Sequence, residues 1–197
     1  MQRVDVAKAA DSFLWAVERA FRLGMQASTG GNISLRLAQG GFLTKPTGLA
    51  LTECTPQDLV LLGPDGKVLD SRRRPTKEVH AHLAVYGQRP EVGGIVHYHA
   101  PHATAYAVRG LPLPQPTVHA RRQLGPVPLV PEHPDGSAEL AQAVGQACRD
   151  PQVKGLLLAG HGLLALGASL EQAQYTAELM EESARVGLLA AMLEGRH

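Results

Sequence analysis

Two histidines separated by one residue in an apolar segment, Ile95-Val96-His97-Tyr98-His99, and a third in Leu158-Ala159-Gly160-His161-Gly162, are residues that could share a metal ion. Side chains alternate faces along a strand, so if 94–99 is a strand, His97 and His99 project from the same side. Three neutral imidazoles suit zinc, and three protein ligands leave a coordination position open for substrate or water, the arrangement of a catalytic site. Pairs of this spacing also arise by chance on half-buried strands, and His161 lies far off in sequence. The residues alone therefore leave a metal centre and an ordinary histidine pair as equal readings.

Glu78 stands at the start of a helical pattern just before the histidine strand. A carboxylate there could alternate between ligating the ion and moving a proton. It could equally be an acidic residue placed in a first turn to complement the helix dipole, and spacing alone favours that reading. His80 and His82 repeat the H-x-H spacing within a helix, where residues two apart face nearly opposite ways and do not chelate one ion. They read as structural or supporting groups, His82 being the one placed to stack near Glu78. His102 is expected to line the pocket, whereas His119, His133 and His197 read as exposed.

Three segments could hold an anion: Thr29-Gly30-Gly31-Asn32, Thr47-Gly48, and Thr76-Lys77, where a hydroxyl and an ammonium meet at a helix start. Each is also an ordinary turn or cap. The chain lacks both G-x-x-x-x-G-K-[ST] and G-x-G-x-x-G, which argues against nucleotide binding. Cys54 and Cys148 lack C-x-x-C spacing and read as plain thiols, leaving histidine and carboxylate as the metal-binding side chains.

The elements that must position these groups follow from periodicity. With 197 residues the chain is read as a single domain, 1–197. An apolar content of 44% with 19% charged residues is that of a soluble globular protein, and a net charge of +1 offers no electrostatic basis for nucleic-acid binding. No apolar stretch approaches the roughly 20 residues of a membrane span, and 1–18 is an amphipathic helix pattern, not a signal sequence, so a cytoplasmic protein without membrane partners is expected.

Helical spacing extends over 4–23, ending before Gly24. Strands are expected at 33–37 and 42–45, paired as a hairpin, and at 59–62 and 68–69 around Pro64-Asp65-Gly66, with a short helical turn starting at Thr55-Pro56 between the pairs. A helix over 76–88, capped by Thr76 with Glu78 in its first turn, precedes the histidine strand, and a short helix over 101–109 follows it. The proline-rich segment 111–134 offers one strand at 127–130. A helix over 137–148, strands at 155–158 and 163–166 flanking Gly160-His161-Gly162, and a long helix over 169–193 complete the pattern. The fold class is α/β, with a mixed or largely antiparallel sheet covered on its faces by helices.

Taken together, Thr29-Gly30-Gly31-Asn32-Ile33-Ser34, Lys45-Pro46-Thr47-Gly48, Arg74-Pro75-Thr76-Lys77-Glu78, the stretch from Ile95 to Thr104, and Leu158-Ala159-Gly160-His161-Gly162 resemble, in order, the motifs of the class II aldolase/adducin-head family. The resemblance covers nearly the whole chain. It implies a three-layer α/β/α fold with a central, mostly antiparallel sheet, and a homotetramer with active sites between subunits. It further implies that His97, His99 and His161 ligate Zn2+ (Mn2+ or Co2+ being alternatives), that Glu78 is a ligand or the acid/base, and that Gly31, Asn32, Thr47, Gly48, Thr76 and Lys77 bind a substrate phosphate.

The implied activity is a zinc-dependent carbon–carbon lyase, an aldolase cleaving a small phosphorylated keto-sugar through a metal-stabilised enediolate. Within the family, 3-oxo-tetronate 4-phosphate decarboxylation and pentulose-phosphate 4-epimerisation are the alternatives, and a non-catalytic adducin-like module is the rival of another class. Thr76-Lys77 resembles the decarboxylase branch, and Lys45 resembles the epimerases. In the stretch 128–133, where related sequences often carry tyrosine, Glu132 and His133 stand instead, leaving the second proton donor unassigned.

Overall fold

The computed structural model describes residues 3–194, so His197 lies outside the described residues. Among the described residues, eight strands form one sheet in the order β4-β3-β2-β1-β5-β8-β7-β6. They are β1 (Asn32–Arg36), β2 (Phe42–Thr44), β3 (Val60–Leu62), β4 (Val68–Asp70), β5 (Gly94–Tyr98), β6 (Leu129–Val130), β7 (Gly155–Leu158) and β8 (Gly162–Gly167). All neighbours pair antiparallel except β6 with β7.

Strand alternation sorts the apolar residues into two cores. Ile33, Leu35, Val96, Tyr98, Leu157, Leu163 and Ala165 face a layer containing α1 (Arg3–Arg22), α3 (Pro101–Val108) and α6 (Leu170–Glu194). Ile95, Leu156, Leu158, Leu164 and Leu166 face α2 (Val79–Gln88) and α5 (Ala138–Ala147). Each such leucine or isoleucine, fully buried, contributes about 1.5–3 kcal/mol. The three-layer architecture with a mostly antiparallel sheet is thus the observed one.

The same alternation makes the α2 face of β1 polar. Asn32, Ser34 and Arg36 project toward α2 while Ile33 and Leu35 enter the other core. Arg36 ties this strand to the carbonyls of Tyr86 and Val92, and Ser34 bonds His82 and Tyr86.

Two expectations are corrected and one, the turn at Thr55, is met. The helix expected over 76–88 begins at Val79, because 75–76 continues sheet-like pairing: Pro75 bridges Pro46, and the Thr76 amide donates to the Lys45 carbonyl. Glu78 is consequently the N-cap residue and does not lie in the first turn. The helical turn expected at Thr55-Pro56 is a single turn closed by Asp58, which accepts from the Thr55 amide and hydroxyl, while the preceding Leu51–Glu53 forms a 3-10 helix. Within the proline-rich segment a helix, α4 (Val118–Gln123), was not anticipated; Thr117 caps it by accepting from the Ala120 amide. Prolines 112, 114 and 116 mask the helical signal, but the Thr cap was there to be read.

Candidate metal centre

β5 delivers His97 and His99 to one side of the sheet, and the tight turn between β7 and β8 delivers His161. β5 pairs β8 with His97 opposite Leu164, and the His161 amide closes the turn onto the Leu158 carbonyl. Two glycines allow the close approach. Gly162 lies against the strand, where a Cβ would stand 2.4 Å from the Tyr98 carbonyl oxygen. Gly31 has φ +65°, and a Cβ there would stand 2.9 Å from the His97 carbonyl oxygen.

The three imidazoles form one cluster, their ring centroids 4.6 to 5.0 Å apart. Nε2 of His97 is 3.2 Å from Nε2 of His161. Glu78 Oε2 lies 3.4 Å from Nε2 of His97, and Oε1 lies 3.3 Å from Nε2 of His161. Nδ1 of His97 faces the Leu163 carbonyl at 2.8 Å, so in the neutral ring it carries the proton and Nε2 offers its lone pair. Nε2 of His99 is buried without a hydrogen-bond partner.

These observations bear on whether a cation fits. Zn–N bonds of about 2.0–2.1 Å place two ligand nitrogens of a tetrahedral site about 3.3–3.4 Å apart. The separations above are of that size, and lone pairs gathered beside a carboxylate repel unless a cation lies among them. The donor set of three imidazoles and a carboxylate therefore fits a divalent ion.

Glu78 is held by the sheet and not by its own helix. Its carboxylate makes no cap bond to α2 and instead accepts from Asn32 Nδ2 at 2.7 Å. The β1–β5 register sets this contact by placing Asn32 opposite His97. Burial pushes the Glu78 carboxyl up, but His97, the Asn32 donor, His161 and His82 outweigh it, and the group sits below the usual carboxylate range. Burial holds His97 and His99 below the ordinary imidazole value, chiefly as neutral rings.

The other candidate residues meet in the same place. Gly31, Asn32, Thr47, Gly48, Thr76 and Lys77 line a cleft of about 330 Å³ together with Glu78 and the three histidines. The Pro46–Pro75 bridge brings the Thr47 and Thr76 segments side by side. Their backbone amides, however, are already used: Thr47 donates to the Arg74 carbonyl and Thr76 to that of Lys45. That leaves their hydroxyls and the Lys77 ammonium for an anion.

His82 is buried beneath this cleft with Nδ1 2.7 Å from the Ser34 hydroxyl, whereas His80 is exposed. His102 does not line the cleft. It bonds Glu181 of α6, which also accepts from the His102 and Ala103 amides. His119 is exposed, but His133 is half-buried, contrary to expectation. Both cysteines are free and buried, and burial pushes their thiols up, Cys54 to about 11 and Cys148 to about 12.

Three residues in or beside the cleft were given no role in the site by the sequence. Lys45 is buried, its Nζ donating to the Thr29 carbonyl, and burial lowers its pKa; a lysine beside an apolar strand was the available signal. Gln26 accepts from the His99 amide at 2.9 Å. Asp135 approaches His161 from the loop before α5. Neither Gln26 nor Asp135 carried a local signal.

Comparison with known proteins shows the same arrangement of chain. Residues 12–188 match the class II aldolase and adducin N-terminal domain. The chain is 34% identical to L-ribulose-5-phosphate 4-epimerase UlaF of Salmonella paratyphi B, across 86% of this chain and 79% of that protein. It is 35% identical to the 3-oxo-tetronate 4-phosphate decarboxylase of Escherichia coli, across 93% of this chain and 84% of that protein. The crystal structure of L-fuculose-1-phosphate aldolase from Thermus thermophilus superposes with a TM-score of 0.86 at 27% identity, covering 97% of this chain and 98% of that one.

Proposed function

The chain belongs to the class II aldolase and adducin N-terminal domain family, and on that premise we propose that it is a divalent-metal-dependent lyase breaking a carbon–carbon bond of a small phosphorylated keto-sugar. The observation that carries this reading is the meeting of the His97 and His161 Nε2 atoms with the Glu78 carboxylate in a cleft that also holds Thr47, Thr76 and Lys77. His97, His99 and His161 would hold the ion, with Glu78 as a further ligand, and zinc best suits this donor set, with Mn2+ or Co2+ as alternatives. When bound, the ion supplies Lewis-acid polarisation of the substrate carbonyl.

This chain's own residues do the rest. Glu78, ionised by its neighbours and buried from bulk water, takes up the proton lost by the hydroxyl of the departing carbon as that carbon becomes an aldehyde, and delivers it to the carbon left by the broken bond. Gly31, Gly48, the Thr47 and Thr76 hydroxyls and Lys77 bind the phosphate. Asn32 fits a different contact within that set: Nδ2 is engaged by Glu78, and its buried Oδ1 has no partner. That oxygen accepts and cannot donate, so it suits a sugar hydroxyl better than a phosphate oxygen.

Retro-aldol cleavage is the preferred reaction. Decarboxylation of a 3-oxo-tetronate 4-phosphate is the second reading, favoured by Thr76-Lys77 and by 35% identity to a decarboxylase over an alignment spanning 93% of the chain; 4-epimerisation of a pentulose phosphate is the third. A single domain over 1–197, a homotetramer with sites between subunits and a cytoplasmic location complete the proposal. The exposed Leu188, Leu189, Met192 and Leu193 of α6 support an interface between copies.

Metal analysis of the purified protein, followed by a screen of phosphorylated ketoses and 3-oxo-tetronates with product identification, tests the reading. A stoichiometric divalent ion and an aldehyde plus a ketose phosphate fragment are expected. Failure to take up zinc even when it is added back would instead support a non-catalytic module.

A further inference from the structure

The loop joining β6 to α5, residues 131–137, is clamped between two segments of the cleft. On one side Gly136, at φ +71°, packs so closely on the segment leading to Glu78 that a Cβ would stand 2.6 Å from the Lys77 carbonyl oxygen. On the other, Glu132 lies against the turn carrying His161, its Oε2 3.1 Å from where a Gly160 Cβ would be. Asp135 is thereby placed with Oδ1 3.8 Å from Nδ1 of His161. Oxygens of Glu78 and Asp135 and a ring nitrogen of His161 all lie within 4.8 Å of one another.

The two nitrogens of His161 face different partners. Nε2 points to Nε2 of His97 and to Glu78, so it is the nitrogen that meets an ion. A neutral imidazole with its Nε2 lone pair committed must carry its proton on Nδ1, and that N–H needs an acceptor. His97 solves the same problem with the Leu163 carbonyl. For His161 the group that faces Nδ1 is the Asp135 carboxylate.

We propose that Asp135 is a positioning residue of the metal centre: it accepts the Nδ1 proton of His161 and so fixes the ring with Nε2 presented to the ion. The inference rests on the metal reading above. The carboxylate is 71% exposed, free to rotate, and either that rotation or one bridging water closes the gap to hydrogen-bond contact. A carboxylate behind a ligand histidine also raises the basicity of the ligating nitrogen, and loss of such a partner weakens metal affinity by about 10- to 100-fold.

The test measures zinc dissociation constants by competition with a chromogenic chelator for the parent protein, Asp135→Ala and Asp135→Asn, with melting of the zinc-free forms showing that all three fold. Asp135→Ala is expected to bind zinc about tenfold more weakly or worse, and Asp135→Asn, which keeps an acceptor oxygen without the charge, to recover most of the loss. Equal affinities for the parent and Asp135→Ala overturn the inference while leaving the metal reading intact. Equal weakening in the Ala and Asn variants overturns the hydrogen-bond role in favour of simple charge. A parent protein that takes up no zinc overturns the metal reading and this inference with it.

Discussion

Nε2 of His97 and Nε2 of His161 lie 3.2 Å apart, although 64 residues separate them in the chain. The pairing of β5 with β8 and the turn at Gly160-His161-Gly162 bring them together. Because side chains alternate along β5, a slip of one residue would send His97 into the opposite core. The site therefore depends on register as much as on the histidines themselves.

A bound ion would link this geometry to stability. Removing metal with a chelator is expected to lower the melting temperature and adding zinc to restore it, since a ligand at about 100 times its Kd stabilises the folded state by about 2.7 kcal/mol. His161→Ala should lose the zinc-dependent rise. A parent protein whose melting is indifferent to both treatments would contradict the metal assignment.

Glu78→Gln preserves size and an oxygen for the Asn32 amide but cannot take up a proton. Turnover is expected to fall by about 10² to 10⁴, with the fold retained by circular dichroism. Unchanged kcat would remove Glu78 from proton transfer.

Gly31 and Gly48 share a positive φ but not their surroundings. A Cβ at Gly48 meets nothing within 4 Å, whereas at Gly31 it would stand 2.4 Å from Gln26 Oε1 and 2.9 Å from the His97 carbonyl oxygen. Gly48→Ala should cost about 1–2 kcal/mol, the left-handed backbone penalty alone. Gly31→Ala should cost more, because the His97 carbonyl belongs to the sheet backbone and cannot move aside cheaply. Equal midpoints in urea denaturation would refute the difference.

His82 sets a pH dependence of its own in the metal-free protein. Burial lowers its pKa from 6.5 to about 4. On acidification the unfolded chain takes up this proton near 6.5 and the folded chain only near 4, so stability is full above 6.5, falls through that window and then levels. The size is about 3 kcal/mol. Urea titrations of the zinc-free protein between pH 7 and 4 should show the slope, and His82→Gln should lessen it, the remainder belonging to His97 and His99, whose rings burial also holds low; an unaltered slope would assign it wholly to other groups.

Much of this is legible in the sequence. The H-x-H spacing on β5 placed two imidazoles on one face because strand geometry has a fixed period of two, and among the described residues ten glycines with positive φ punctuate the turns the pattern anticipated or left open. The elements read least well were those whose form depends on distant partners. Residues 76–78 read as the start of a helix, yet 75–76 pair with 45–46 and 77–78 form a turn, and α4 hides among prolines.

Glu78 shows the division most clearly. By sequence it reads as a helix-start acid, and the order of the motifs alone identified the family, since short motifs keep their identity whatever lies around them. That its carboxylate turns from α2 to meet Asn32, His97 and His161, and that Asp135 arrives behind His161, was decided only by the tertiary structure. Contacts between residues 46 or 64 positions apart follow from strand register and loop packing, which are properties of the whole sheet and carry no local periodicity.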